Sequence, residues 1–298
     1  MTLTVRIRPT AQPATTKPER FAVIGHPVKH SRSPSIHQQF AQQTQIALTY
    51  QRLEVPLDGF KSAVEQFFAS GGRGLNVTVP FKLEAWDLAR HHLSARAKQA
   101  QAVNTLWWQE GALHGCNTDG VGLISDLNRL GVRCKGARIL MIGAGGAARG
   151  VLGPLLETGC TQIHIVNRTA ERAHALIQEW ADIEPSSQQK LTAGALTEAA
   201  NPAGWDLVIN ASASSLGGEA PEVPKGLYAV GAWAYDLMYS PSPTAFMTQA
   251  QADGATFLSD GLGMLVGQAA ESFYIWHGKR PDIQPVLRSL RQELSRMP

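Results

Sequence analysis

Short apolar runs alternate with amphipathic stretches along most of the 298-residue chain. Residues 21–25, F-A-V-I-G, form a run of the kind buried on both faces of a parallel sheet. Residues 50–55 alternate as a second strand, and residues 75–79 form a third that Pro80 halts. Residues 35–41 set Ile36 and Phe40 on one helical face. Residues 59–70 read as an amphipathic helix stopped by Gly71-Gly72, and residues 81–90 turn helical. Residues 103–109 and 112–116 predict a hairpin around Glu110-Gly111. A helix over 120–130 follows, with Asp119 at its cap and Gly131 closing it.

The pattern then repeats with a different spacing. Residues 138–142, R-I-L-M-I, are a short, nearly all-apolar strand, and a helix opens directly after it and runs to about Glu157, where Gly159 can cap it. Further strands are expected at 163–166, 205–210 and 229–237, with a Ser-, Gly- and Pro-rich loop over 211–224. Residues 261–276 form a strongly apolar helix, and a last one over 282–296 spaces Ile283, Val286, Leu287 and Leu290 on one face. Strand–helix alternation on this scale predicts an α/β protein of two domains. A discontinuous first domain takes 1–118 and 259–298, the final helices packing back on it. A Rossmann-type domain with a parallel sheet takes 119–258.

Strand, glycine turn, helix is the context that gives a glycine motif meaning. Here Gly143-Ala144-Gly145-Gly146-Ala147-Ala148 fits G-x-G-x-x-A. Gly143 permits the tight turn, Gly145 has no side chain to block a pyrophosphate, and Ala148 lets helix and strand pack closely. The phosphates would meet free amides at the positive end of the helix. At the end of the next strand, where an acidic residue normally accepts from a ribose hydroxyl, the chain has Asn167-Arg168-Thr169, with Arg172 beyond. Two guanidiniums near a helix N-terminus want an anion, and a 2′-phosphate suits them. The cofactor expected is NADP.

Composition narrows the partners. The net charge of +3 is spread out, with no basic stripe, so nothing argues for nucleic acid. No apolar run approaches the roughly 20 residues of a membrane span. Cys116, Cys134 and Cys160 stand alone, as reduced thiols of a cytoplasmic protein would, and no metal motif is present. Residues 1–18, with Arg6, Arg8 and Lys17 and no acid, read as an unstructured tail. The expected partner is a small-molecule substrate, bound by a monomer or homodimer.

Four polar stretches carry the remaining chemistry: Ser31-Arg32-Ser33-Pro34-Ser35-Ile36-His37, Asn76-Val77-Thr78-Val79-Pro80-Phe81-Lys82, Ala102-Val103-Asn104-Thr105 and Asn117-Thr118-Asp119-Gly120. With Gly261-Leu262-Gly263-Met264-Leu265-Val266-Gly267-Gln268 they closely resemble the shikimate dehydrogenase family. The resemblance runs from about Phe21 to Leu294. It implies reduction of 3-dehydroshikimate to shikimate with NADPH, in aromatic amino-acid biosynthesis.

Hydride delivery to a ketone builds alkoxide charge, which needs a proton donor beside the carbonyl. The resemblance gives that role to Lys82, with Asp119 beside it to orient the ammonium. It gives the substrate carboxylate to Ser31 and Ser33, and the ring hydroxyls to Asn76, Thr78 and Asn104. Gln268 and Tyr235 would close the site. His26, His30 and His37 read as structural or peripheral. Two departures stand out: His26 where the family usually has Asn, and Asn210-Ala211-Ser212 where it commonly has Asn-Ala-Thr. Other readings are a quinate/shikimate dehydrogenase using NAD, which Arg168 and Arg172 argue against, and a non-catalytic metabolite sensor, which would be expected to lose Lys82 or Asp119.

Overall fold

The computed structural model describes residues 17–212 and 214–296. The tail expected over residues 1–18 lies, apart from Lys17 and Pro18, outside the described residues. The first half runs β1 (Glu19–Gly25), α1 (Ser33–Thr44), β2 (Leu48–Glu54), α2 (Phe60–Ala69), β3 (Gly72–Val77), α3 (Lys82–Leu88), α4 (Ala95–Ala100), β4 (Thr105–Gln109) and β5 (Ala112–Cys116). Its sheet has the order β2-β1-β3-β4-β5, with β1 parallel to β2 and β3, and β4 antiparallel to both its neighbours. Gln109 pairs with Ala112 across a two-residue turn in which Glu110 (φ 51°) and Gly111 (φ 79°) are both left-handed. That geometry matches the twist of the flanking strands, and the glycine makes it accessible.

The second half runs α5 (Asp119–Leu130), β6 (Arg138–Ile142), α6 (Gly146–Glu157), β7 (Gln162–Asn167), α7 (Ala170–Ile183), β8 (Leu191–Ala195), β9 (Trp205–Asn210), β10 (Tyr228–Asp236), α8 (Ala245–Ala252) and β11 (Phe257–Ser259). Its six strands pair in parallel in the order β11-β10-β9-β6-β7-β8. Strand order reverses at β6, so a crevice opens there at the carboxyl ends of the strands. β6 is buried on both faces: Ile139 and Met141 enter one core, Leu140 and Ile142 the other. This is why its sequence reads as an unbroken apolar run.

α9 (Leu262–His277) and α10 (Ile283–Ser295) return to the first sheet. Leu262, Val266, Phe273, Val286, Leu290 and Leu294 share one core with Phe21, Ile36, Phe40 and Leu48. Each such large side chain contributes roughly 1.5–3 kcal/mol by leaving water. α9 also crosses α5 closely. A Cβ at Gly122 would stand 2.5 Å from the Met264 carbonyl and 2.6 Å from the Gln268 amide. Two side chains could not share that space.

Several local readings need correction. The third strand ends at Val77, although the Thr78 amide still donates to Ile24 of β1 and the His26 amide to Val79, before the chain turns at Pro80. β4 begins at Thr105, since the Val103 amide turns instead to the Lys82 carbonyl. Thr118, not Asp119, is the N-cap of α5, and its hydroxyl makes no capping bond. The helix predicted from Ser35 starts at Ser33 and reaches Thr44. α4, β8, α8 and β11 were not anticipated.

Candidate active site

Phe81 is buried and stacks on Phe60, with ring centroids 4.9 Å apart, which turns the next residue, Lys82, away from that core. Asp119 opens α5, where its charge suits the positive helix end. The two meet: Lys82 Nζ lies 2.5 Å from Asp119 Oδ2, with side chains 14% and 6% exposed. The other carboxylate oxygen, Oδ1, accepts from Asn104 Nδ2 at 2.8 Å, and the Asp119 amide donates to Asn117 Oδ1. The carboxylate is therefore fixed in orientation, and it in turn holds the ammonium. α6 lies directly behind, where a Cβ on Gly150 would come within 2.9 Å of Asn117 Oδ1 and 3.0 Å of Asp119 Oδ2.

A buried hydrogen-bond network runs outward from this pair. Asn104 Nδ2 also faces Thr118 Oγ1 (2.9 Å) and Gln268 Oε1 (3.2 Å), and Asn104 Oδ1 accepts from the Thr118 amide at 2.9 Å. Asn76 Nδ2 donates to the Asn104 carbonyl, Thr105 Oγ1 and Ser272 Oγ, and Asn76 Oδ1 accepts from the Tyr50 hydroxyl at 2.7 Å. The Ser33 side chain lies beside that hydroxyl and 3.2 Å from Ser31 Oγ. Arg52 holds the Ser31 carbonyl at 2.6 and 2.9 Å. Thus Lys82, Asp119, Asn104, Gln268, Asn76, Ser33 and Ser31 form one connected set. Thr78 is half-buried on the same strand exit as Lys82, packed on Gly25.

Tyr235 is set apart and corrects the expectation. It is fully buried in β10, inside the core between the six-stranded sheet, α5 and α9, and its hydroxyl donates to Asp126 Oδ2 at 2.7 Å. Tyr239, past the strand end, lies instead beside Arg32 on the serine loop. Position along the strand is the signal that distinguishes them, because ligands in open α/β sheets bind beyond the carboxyl ends. Tyr50, Thr105, Thr118 and Ser272 also escaped sequence reasoning, as each reads as an ordinary strand, turn or helix residue. His37 is fully enclosed and stacked on Tyr50, and burial lowers its pKa to about 3, so it stays neutral.

The glycine turn adjoins the ion pair. Gly143 has φ +112°, and a Cβ there would stand 2.9 Å from the Ala211 backbone. A Cβ at Gly145 would meet no protein atom within 4 Å, whereas one at Gly146 would sit 3.5 Å from Lys82 Cβ. Ala144 is buried, Ala147 half-buried beside it, and Ala148 fully buried against the sheet. Asn167 Nδ2 bonds the Thr169 carbonyl, fixing the turn from which Arg168 and Arg172 project into solvent. Among the described residues, neither arginine has a carboxylate partner.

A model of the shikimate dehydrogenase substrate-binding domain matches residues 23–106. A shikimate/quinate 5-dehydrogenase model matches 127–216, and one for the shikimate 5′-dehydrogenase C-terminal domain matches 261–291. A shikimate dehydrogenase (NADP(+)) from Bordetella petrii is 62% identical over 92% of this chain and 96% of its own. The chain belongs to the shikimate dehydrogenase family. Its fold is likewise similar to an Ael1 enzyme from Pseudomonas putida (TM-score 0.81, 40% identity, 91% and 98% of the two chains covered). The shikimate 5-dehydrogenase of Thermus thermophilus, solved with NADP(H) and shikimate, matches at TM-score 0.79, 34% identity and 92% and 99% coverage. The two-domain α/β reading therefore stands.

Proposed function

We propose that this chain catalyses the reversible, NADPH-dependent reduction of 3-dehydroshikimate to shikimate. The observation that carries the reading is the Lys82–Asp119 pair at 2.5 Å, seated against the glycine turn at Gly146. The substrate half takes residues 1–118 and 259–298, and the nucleotide half takes 119–258. The Ser31 and Ser33 hydroxyls hold the substrate carboxylate. Asn76, Thr78, Asn104 and Gln268 meet the ring hydroxyls, and Tyr239 rather than Tyr235 closes that side. We place the enzyme in the cytoplasm as a monomer or homodimer.

The residues fit NADP. The open flank of Gly145 leaves room for a pyrophosphate against the backbone of Ala144, Gly146 and Ala147. Arg168 and Arg172, with Asn167 and Thr169 shaping their turn, suit a 2′-phosphate. When bound, the cofactor supplies the hydride. Lys82 hydrogen-bonds the substrate ketone and passes a proton from Nζ to the oxygen as negative charge develops there. Asp119 holds the ammonium in line, and Asn104 keeps the carboxylate from rotating. In reverse, neutral Lys82 takes the proton from the shikimate hydroxyl.

The test is NADP⁺ reduction with shikimate, beside quinate and NAD⁺ controls. Turnover confined to shikimate with NADP⁺ is expected. Folded protein inactive with that combination would refute the proposal.

A further inference from the structure

α9 carries a buried hydroxyl that the acid–base pair leaves unused. Ser272 is fully buried one turn after Gln268. Its Oγ lies 2.9 Å from Asn76 Nδ2, 2.8 Å from Thr105 Oγ1, 3.3 Å from Thr118 Oγ1 and 3.1 Å from the Gln268 carbonyl. Four segments distant in sequence meet at this one oxygen: β3, the start of β4, the turn before α5, and α9 itself.

The direction of each hydrogen follows from groups that allow one role alone. The Asn104 carbonyl can only accept, so the nitrogen of Asn76 faces it and Asn76 Oδ1 takes the Tyr50 hydroxyl. The Thr118 amide can only donate, so it meets Asn104 Oδ1, and Asn104 Nδ2 faces the Asp119 carboxylate. The Gln268 carbonyl can only accept, so it takes the Ser272 hydrogen. The Ser272 lone pairs are then left for Asn76 Nδ2 and a threonine hydroxyl. Without them, an Asn76 N–H would keep the longer contacts to Thr105 and the Asn104 carbonyl, both at 3.2 Å. If filling space were the whole role, an apolar side chain would do it without the cost of desolvating a hydroxyl.

We propose that Ser272 is a positioning residue for the substrate: its oxygen fixes the carboxamide of Asn76 and, through the one threonine hydroxyl it accepts, that of Asn104. The ring hydroxyls then meet groups already set in orientation. This rests on the shikimate reading above.

The test compares Ser272→Ala, which removes the hydroxyl, with Ser272→Cys, which keeps the volume but bonds weakly. Both are expected to raise the shikimate KM about tenfold, the size of one lost neutral hydrogen bond, with the NADP⁺ KM unchanged and kcat falling less than KM rises. A shikimate analogue lacking one ring hydroxyl should be penalised less by the variants than by the wild type. An unchanged shikimate KM in both variants overturns the proposal. So does a cysteine variant that matches the wild type while alanine does not, and so does a parallel rise of both KM values with a lowered Tm. Wild-type protein inactive on shikimate would count against the substrate reading instead. In that event the Asn76 side-chain amide resonance of the unliganded protein decides the matter: shifted in both variants, it supports the role of Ser272, and unmoved, it overturns it.

Discussion

The carbonyl of Lys82 accepts the amide of Val103 at 2.8 Å, tying the residue that offers the ammonium to the loop that carries Asn104. The same lysine reaches Asp119, which Asn104 holds from the other side. Backbone and side chains thus close a ring through Lys82, Val103, Asn104 and Asp119. Ammonium and carboxylate are set by one another and not by two independent scaffolds.

Lys82→Met keeps the length of the side chain and removes its proton. Turnover should fall by about 10²–10⁴, the usual contribution of a positioned acid or base. Shikimate binding, followed by calorimetry, should persist. A variant with near-normal kcat would strip Lys82 of the role given to it.

Asp119→Asn preserves shape but leaves the ammonium beside a neutral group. Turnover is expected to drop by about one to two orders of magnitude. Because the pair acts as a unit, Lys82→Met/Asp119→Asn should be no slower than Lys82→Met alone. Multiplicative losses in the double variant would show that the residues work separately.

Arg168→Gln and Arg172→Gln should each raise the KM for NADP⁺ roughly tenfold or more, as expected for a lost charge-assisted hydrogen bond. The KM for NAD⁺, which has no 2′-phosphate, should stay where it is. Equal effects on the two cofactors would mean that the arginines do not read that phosphate.

The glycines of the turn separate folding from binding. Gly143→Ala forces an alanine into φ +112° against the Ala211 backbone, so Tm should fall. Gly145→Ala, at φ −88° with open space around it, should leave Tm unchanged yet weaken NADP⁺ binding. Thermal melts beside cofactor titrations check both, and a Gly145 variant with normal affinity would move the pyrophosphate elsewhere.

Acid should destabilise this protein through two enclosed histidines. Burial, aided by the His277 charge, lowers the pKa of His37 to about 3, and burial, then Lys279, lowers that of His277 to about 4. Unfolded, both ionise near pH 6.5. Below that pH the unfolded chain binds more protons, so the stability present above about pH 6.5 is lost as pH falls toward 4. Each histidine can contribute up to about 1.4 kcal/mol per pH unit. Denaturant melts at several pH values should show a flatter acid slope for His37→Phe, and a slope like the wild type's would contradict a neutral His37.

Much of the fold was legible because Ile139–Ile142 of β6 is buried on both faces and reads as an unbroken apolar run, while β9 and α9 are mostly apolar and mostly buried. The glycine turn was legible for the same kind of reason: φ +112° at Gly143 admits few other residues. α4 and α8 were missed since each is short and rich in Ala and Gln, with little apolar contrast. β8, L-T-A-G-A, is an edge strand with weak patterning. Tyr235 and Tyr239 sit four residues apart in similar surroundings of sequence, and only the end of β10 separates the core residue from the one at the crevice. The hydroxyls of Thr105, Thr118 and Ser272 were invisible, because their partners lie up to 196 residues away.

The core shared by β1, α1, α9 and α10 sets an order of events during synthesis. Phe21, Ile36, Phe40 and Leu48 leave the ribosome long before their cover, from Leu262 to Leu294. The strands of the six-stranded sheet are all made in between. A chain cut after residue 258 should therefore protect β6–β10 from protease while β1 and α1 remain open to cleavage, and the first sheet gains its cover only once α9 and α10 have been made.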